Sequence, residues 1–506
     1  MSEQCVVSMG PTSDVLVKTI CNPVSMPTVI PSLDSGKLSE TENDSPESTP
    51  THAKAILEPL EQEPDFYGEL ILLGYNGSHE TTHKTGRYAH RSKMTVRRRD
   101  VPNGVKKGGV VAIQAPPSQS SAVQDVTRHV VSYSYNKEHT VLVEYLADPT
   151  KDLFQVGRSS EPQIDFCIVD TWLVAGPHAV VQSPVGGNNN YHGTRNNRPV
   201  SSTISRFACR CLADRENSDK VYVYAAGFDS SRNIFLGEKA TKWQKKNGDY
   251  DGLTTNGVLI LHPNREESSA SDASPASTDS SQREMYEWRE VSVDGDIYSL
   301  RETRSSQKRG SFMPDETNEL QDGTLIDLCG ATLLWRSAEG LKHSPSRREL
   351  ERRLDELNAG KPQCPVNLNT LIIPKKRAAK GYSTTRQPYV YVKCGHVQGK
   401  HDWGVTRKSG DNTPLKFKCP ICICESDKVI ELTMGMESAF HLDSEALEYA
   451  FNPCGHVASH RTVQYWSRIP LPHGTNSFHP VCPFCTSLLN TKKPYIRLIF
   501  QDHCDF

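Results

Sequence analysis

The chain has 506 residues, a formal net charge of −2 and 36% apolar residues, with a mean hydropathy of −0.55. That length exceeds one hydrophobic core and calls for two or three domains, while the low hydropathy leaves part of the chain short of apolar surface to bury. A charge so near zero excludes a global basic field for nucleic acid or an anionic membrane, and no run approaches the ~18 apolar residues that span a bilayer. No nucleic acid and no membrane are expected as partners. The opening MSEQCVVSMG lacks the basic-then-apolar order of a secretory leader. A cytoplasmic setting with reduced thiols is therefore expected. Seven of the fifteen cysteines fall between 394 and 485, and such clustering in a reducing compartment points to metal, not disulfides.

Residues 1–62, rich in Ser, Thr, Pro and Glu (LSETENDSPESTPTH), show no sustained period and read as a disordered tail. From Tyr67 the texture changes to short β-rich runs such as YGELILLGY, RHVVSYSY, HTVLVEYL, VYVYA, GVLILH and ATLLWR. Runs at this density, with Asn-Gly and Asp-Gly turns between them, predict a mainly β fold, a sandwich over 63–341. Stretches at about 97–127, 177–201 and 264–284 read as insertions, among them GGNNNYHGTRNN and a serine-rich loop that build no core. The basic run Arg97, Arg98, Arg99 with Lys106 and Lys107 is expected as a solvated loop, with a localisation or phosphate-binding patch as the alternative.

Within the β region, polar residues fall at predicted strand ends. Gly157-Arg158-Ser159 follows DLFQV, Ser205 and Arg206 precede an apolar stretch, and Thr255-Asn256-Gly257 forms a turn. Singly these are common turn sequences. Next, SPSRRELERRLDELNAG predicts a linking helix over 342–360, with Ser344 as cap, Pro345 in the first turn, and Leu350, Leu354 and Leu357 on one face.

Residues 361–506 read as a zinc domain. Four donor pairs follow in order: Cys394-Gly-His396, Cys419-Pro-Ile-Cys422, Cys454-Gly-His456 and Cys482-Pro-Phe-Cys485. Tetrahedral zinc takes four N or S ligands, and a close-spaced pair delivers two of them from one tight turn. Four pairs make two closed sites, so two structural zinc ions are expected, with no coordination position for a substrate. Cys364, Cys424, His401 and His479 are spare donors.

Alternating pairs with long loops resemble the RING cross-brace, which implies one site of Cys394, His396, Cys454 and His456 and another of Cys419, Cys422, Cys482 and Cys485. Consecutive pairing is the alternative. The doubled CGH, with YWSRIPLPHGT, FHPVCPFC, QCPVNLNT, DGLTTNGVLILHP and LIDLCGATLLWR, resembles the Pellino family over about residues 65–490. The resemblance implies a RING-type ubiquitin-protein ligase without a catalytic residue of its own, acting by holding a ubiquitin-loaded conjugating enzyme beside a substrate. Ile421 and Pro483 are the implied contacts for that enzyme.

The polar strand ends, in this order on a β frame, look like a forkhead-associated (FHA) domain, a sandwich whose loops bind phosphothreonine. The resemblance implies that Arg158, Ser205 and Arg206 contact the phosphate and that Thr255 and Asn256 hold the peptide. Arg206 stands in TISRFACR, which has no His where many FHA domains show Ser-x-x-His. The implied partners are ubiquitin, a conjugating enzyme and phosphorylated receptor-associated kinases of the Toll/interleukin-1 receptor pathway. A non-catalytic phosphopeptide-binding scaffold is the competing expectation. A zinc-finger nucleic-acid binder is disfavoured, because ICICESDKVIEL is acidic and no basic aromatic stripe accompanies it.

Overall fold

Apolar runs without alternation, ELILL and VLIL among them, form strands covered on both faces. The computed structural model describes residues 65–75, 93–125, 127–168, 203–263, 286–360, 362–376, 386–407, 414–473 and 477–500. The expected tail (1–62) and two expected insertions (177–201 and 264–284) lie outside the described residues.

The first strands are β1 (Phe66–Tyr75), β2 (Lys93–Arg97), β3 (Gly104–Ile113), β4 (His129–Asn136), β5 (His139–Asp148), β6 (Lys151–Gly157), β7 (Phe166–Cys167), β8 (Cys209–Asp214) and β9 (Val221–Ala225). They continue with β10 (Asn233–Leu236), β11 (Thr241–Gln244), β12 (Tyr250–Leu253), β13 (Val258–Leu261), β14 (Arg289–Val291), β15 (Ile297–Ser299), β16 (Leu325–Asp327) and β17 (Ala331–Ser337). A seven-stranded sheet, β15-β14-β13-β16-β17-β1-β2, and a four-stranded sheet, β7-β6-β8-β9, make the sandwich. A further four-stranded sheet, β10-β4-β5-β3, shares its core.

Side chains alternate across a strand, and β1 shows what each face of the large sheet meets. Leu70 and Leu72 enter the sandwich core with Val156, Val223 and Trp335. Ile71 and Leu73 point the other way, into a second core with Phe440, Val463 and Trp466 from the metal-binding half. Strand β13 divides likewise: Ile260 faces the sandwich, Leu259 and Leu261 the second core. Each such side chain contributes roughly 1.5–3 kcal/mol on full burial. A sheet buried on both faces needs apolar residues in succession, so the run itself encodes the second contact. Hydrogen bonds cross the same seam: Trp288 Nε1 donates to Pro470 O at 2.6 Å and buried Arg336 Nη1 to Ala439 O at 2.5 Å.

Residues 97–127, expected as an insertion, supply β3, which pairs antiparallel with β5 from Gly104↔Asp148 to Ile113↔Thr140 and buries Val105. The basic run expected as a solvated loop is partly tied down. Arg99 lies over the Phe154 ring and pairs with Asp165 at 2.6 Å, while Lys107 reaches Asp294 at 3.0 Å. Carboxylates in neighbouring turns and an aromatic ring on a neighbouring strand give these long side chains partners that the run alone does not show.

Helices α1 (Ala338–His343) and α2 (Arg347–Ala359) follow. The cap of α2 is Ser346, whose Oγ accepts from Glu349 N at 3.1 Å, and not the expected Ser344. Ser346-x-x-Glu349 has the spacing of a capping box, and Ser344 instead ends α1 and donates to His441 O at 3.0 Å. Leu350 and Leu354 are buried and Leu357 partly so, in a third core with Leu371, Val390 and Val457.

The metal-binding half adds β18 (Tyr389–Tyr391), β19 (Val397–Gln398), β20 (Val405–Arg407), β21 (Pro414–Lys418), β22 (Glu425–Ser426), β23 (Val429–Glu431) and β24 (Thr433–Met434). After these come β25 (Tyr449–Phe451), β26 (His456–Ala458), α3 (His460–Arg468), β27 (Leu471–His473), β28 (Ser477–His479) and β29 (Tyr495–Arg497). The half is an internal repeat. Hairpin β18–β19 takes β23 beside β18, and hairpin β25–β26 takes β29 beside β25, both antiparallel. Each copy then reaches the other: β24 runs parallel to β26, with Thr433 opposite His456, and Ile499, beyond β29, makes a parallel bridge to His396.

Candidate functional site

The tight turn of each CGH depends on its glycine. Gly395 and Gly455 sit at φ +83° and +74°, and each donates back to the strand before it, Gly395 N to Tyr391 O at 2.8 Å and Gly455 N to Phe451 O at 2.7 Å. A Cβ would stand 2.4 Å from Arg497 O at the first and 2.0 Å from Glu431 O at the second, so the close approach of the other repeat also requires glycine there.

The turns gather the eight predicted donors into two clusters, Cys394, His396, Cys419 and Cys422, and Cys454, His456, Cys482 and Cys485, with donor atoms within 4.8 Å of one another in each. This overturns the cross-brace expected from the alternating order. The pairing is consecutive because each CGH hairpin and the CPxC turn that follows it belong to one repeat. His396 Nδ1 lies 3.6 Å from Cys419 Sγ, and His456 Nδ1 lies 3.4 and 3.7 Å from the Cys454 and Cys482 sulfurs. Tetrahedral zinc with ordinary Zn–S and Zn–N bonds would separate S from N by about 3.6 Å, so donor type and spacing fit that ion. Among the described residues, Cys364, Cys424, His401 and His479 join neither cluster. Burial pushes the Cys394 thiol up to about 12 and Cys454 and Cys482 well above the usual thiol range. Hydrogen bonds from Cys454 and Cys482 hold Cys485 well below it.

The CPxC turns share one geometry. Cys419 N donates to Cys424 O and Cys482 N to Ser487 O, both at 2.9 Å, with Ile423 and Thr486 at φ 61° and 58°. A third turn of this kind, absent from the sequence reading as a structural unit, is QCPVNLNT. Cys364 N donates to Asn369 O at 3.0 Å and Leu368 has φ 54°, but Asn367 stands where the second cysteine would be. The repeated Cys-Pro-x-x pattern was the available signal.

The two docking residues expected from the resemblance part company. Ile421 is 40% exposed, and its neighbour Ile423 52%. Pro483 is buried. Its turn is packed inward: the Phe484 ring contacts Phe440 and Phe451, and Thr486 abuts Gly74 of β1, where a Cβ would fall 2.8 Å from its Cγ2.

At one end of the sandwich three loops meet. β6 ends on Gly157, whose Cβ would lie 2.1 Å from Arg206 O, so glycine lets the two loops touch. Arg158 N donates to Ser205 O at 3.2 Å and Ser159 N to Arg206 O at 3.1 Å, while Arg158 Nε reaches Ile204 O at 2.8 Å. From the β12–β13 turn, Asn256 Nδ2 donates to Thr203 O at 2.7 Å and Ser205 Oγ at 3.2 Å. Thr255 is exposed in that turn, as are Arg158 and Arg206. All five predicted residues therefore lie on these meeting loops. Arg301 and Arg304, which sequence reasoning missed, clamp the turn. Arg301 Nη2 donates to Thr254 O at 2.8 Å and to Glu290 at 2.6 Å, and Arg304 pairs with Asp327 and reaches Asn256 O. Glu161 was missed too. Its Oε1 takes the Arg206 guanidinium at 2.6 Å and the Ser159 hydroxyl at 3.1 Å. The hydrogen bond from Arg206 holds its carboxyl below the usual range.

A forkhead-associated sandwich followed by a RING-type module with two four-donor clusters is the layout of a RING-type ubiquitin-protein ligase. Residues 59–353 match the family model described as Pellino, FHA domain, and residues 357–505 the one described as Pellino, RING domain. The chain is 49% identical over 439 residues to "Protein pellino" of Drosophila melanogaster, covering 87% of this chain and 94% of that one. It is 45% identical to "E3 ubiquitin-protein ligase pellino homolog 2" of Homo sapiens, over 88% of this chain and 97% of that relative. To "E3 ubiquitin-protein ligase pellino homolog 3" of Mus musculus it is 45% identical, over 88% and 92%. The chain belongs to the Pellino family.

Proposed function

We propose that the chain recruits phosphothreonine-bearing partners through the three-loop end of its FHA domain and promotes their polyubiquitination through its RING domain. The observation that carries the reading is the convergence of Arg158, Ser205, Arg206, Thr255 and Asn256 on those loops. A phosphothreonine brings roughly −1.5 to −2 charges and three acceptor oxygens. Two exposed guanidinium forks and a hydroxyl match that chemistry, and the Asn256 amide is positioned to hold peptide backbone once it leaves Thr203. Kinases of the Toll/interleukin-1 receptor pathway, met in the cytoplasm, are the partners we infer from family membership.

Each four-donor cluster fits one structural zinc ion, two per chain, held by Cys394, His396, Cys419 and Cys422 and by Cys454, His456, Cys482 and Cys485. Bound zinc cross-links the CGH and CPxC turns and replaces the protons of buried thiols. With every paired cysteine committed to the fold, this mode of action requires no nucleophile from the chain. Its contribution is to hold a ubiquitin-loaded conjugating enzyme near a substrate lysine, so that transfer proceeds by proximity and orientation. The exposed Ile421 and Ile423 support docking of that enzyme on the first CPxC turn, since Pro483 of the second turn is buried and Thr486 beside it packs against Gly74. Calorimetry with matched phosphorylated and unphosphorylated threonine peptides tests the recruitment step. A clear preference for the phosphorylated form is expected, and equal binding would refute it.

A further inference from the structure

The loop that carries Arg158 also carries a carboxylate aimed at the second cation of the same site. Glu161 lies three residues after Arg158, and a turn bends it back: its backbone N donates to Ser159 Oγ at 3.4 Å, and that hydroxyl donates to Glu161 Oε1 at 3.1 Å. The same Oε1 sits 2.6 Å from Arg206 Nη2. The pair stands in solvent reach, with side-chain exposures of 59% for Arg206 and 28% for Glu161. Among the described residues no carboxylate pairs with Arg158, whose Nε is held by a main-chain carbonyl. One arginine of the site is thus open and the other is already neutralised from within.

We infer that Glu161 is a built-in counter-ion of the phosphate site, occupying the Arg206 fork until a dianion displaces it and so setting the negative charge a ligand must bring. The inference rests on the phosphothreonine reading of these loops. Exposed ion pairs are weak, so Glu161 is displaceable. Exchanging its carboxylate for that of a ligand Asp or Glu gains nothing, because one monoanion replaces another on the same fork. A phosphate offers a second charge and a third acceptor oxygen, and it can engage Arg158, Ser205 and Arg206 together. The device therefore discriminates by charge: acidic peptides are excluded while phosphorylated ones enter. Ser159 is the positioning residue, since its hydroxyl fixes where the carboxylate points.

The test is binding of the full chain and its Glu161→Gln variant to one peptide carrying phosphothreonine, glutamate or threonine at the same position. Glutamine keeps the side-chain shape at a partly exposed site and removes the charge. The variant is expected to bind the phosphothreonine peptide about three- to tenfold more tightly and to gain measurable binding of the glutamate peptide, with the threonine peptide unchanged. Weaker phosphopeptide binding would overturn the inference, because Glu161 would then be orienting Arg206 for the ligand. Unchanged binding of all three peptides would overturn it as well. Failure of the wild type to prefer phosphothreonine over threonine would instead refute the phosphothreonine reading, whatever the variant does. Ser159→Ala, which loosens the carboxylate without removing it, is expected to shift binding in the same direction by a smaller factor.

Discussion

His396, a donor of the first cluster, lies in parallel register with Ile499, on the segment that leaves the second cluster. The reciprocal contact sets Thr433, which follows the first cluster, opposite His456 of the second. Each CGH hairpin is thus flanked by a segment of the other repeat.

The two metal sites should therefore be lost together. Cys482→Ser removes one donor from the second cluster, yet metal analysis is expected to show a fall from two zinc ions per chain to near none. Structural zinc contributes apparent binding energies of ~10–16 kcal/mol in small metal-dependent domains, and here each ion would stabilise a segment that lies against the other site. Retention of one ion would show that the repeats fold independently.

Phosphopeptide binding should depend on Arg158 through the shape of its guanidinium. Arg158→Ala is expected to weaken binding more than about a hundredfold, since charge-assisted hydrogen bonds are worth ~1.5–3 kcal/mol each. Arg158→Lys should recover only part of that, because a point charge cannot form the planar fork. Titration calorimetry against the phosphothreonine peptide reads both. Full rescue by lysine would mean that charge alone is recognised.

Much of this was legible in the sequence because the signals are local. The CGH and CPxC pairs carry their own turn geometry, and Ser205, Arg206 and Asn256 sit where strands begin or end. What was not legible is relational. The order of the four pairs fits either pairing, and only the fold, which sets each CGH hairpin and the CPxC turn after it in one repeat, selects the consecutive one. The packing of Thr486, beside the second CPxC turn, against Gly74 joins positions more than four hundred residues apart in sequence, and Glu161 and Arg206 are 45 residues apart. The double coverage of the large sheet was visible as unbroken apolar runs such as LILL at Leu70–Leu73, yet those runs fit a core strand of any kind.

Acid should destabilise the fold around His441, whose ring packs against Phe484. Burial lowers the His441 pKa to about 4, against an ordinary 6.5, with Nε2 held by Gly435 O at 2.8 Å. The folded state keeps this ring neutral while the unfolded chain protonates it. Its stability contribution is thus complete above about pH 6.5 and is lost as pH falls from there towards 4. At pH 5 the loss is about 2 kcal/mol from this group. Urea unfolding at pH 7 and pH 5 should show a smaller drop in His441→Gln than in wild type, and an equal drop would assign the acid sensitivity elsewhere.

Docking of the conjugating enzyme separates the two CPxC turns. Ile421→Ala is expected to slow ubiquitin discharge about tenfold or more while leaving the unfolding midpoint within about 0.5 kcal/mol of wild type, as for an exposed contact residue. Pro483→Ala should do the reverse, lowering stability at a buried position before it affects docking. Discharge rates of loaded conjugating enzyme, measured beside urea midpoints, distinguish the two. An active Ile421→Ala protein would move the docking face off this turn.

Guided ubiquitination is tested most directly by reconstituting the reaction on one substrate prepared with and without phosphothreonine. Ubiquitin, activating enzyme, conjugating enzyme and full-length chain are combined, and modified substrate is quantified for wild type and Arg158→Ala. The expected result is efficient modification of the phosphorylated substrate by wild type only, with chains formed in the absence of a selected substrate unaffected by Arg158→Ala. Equal modification of both substrate forms by wild type, or undiminished modification by Arg158→Ala, would contradict the account.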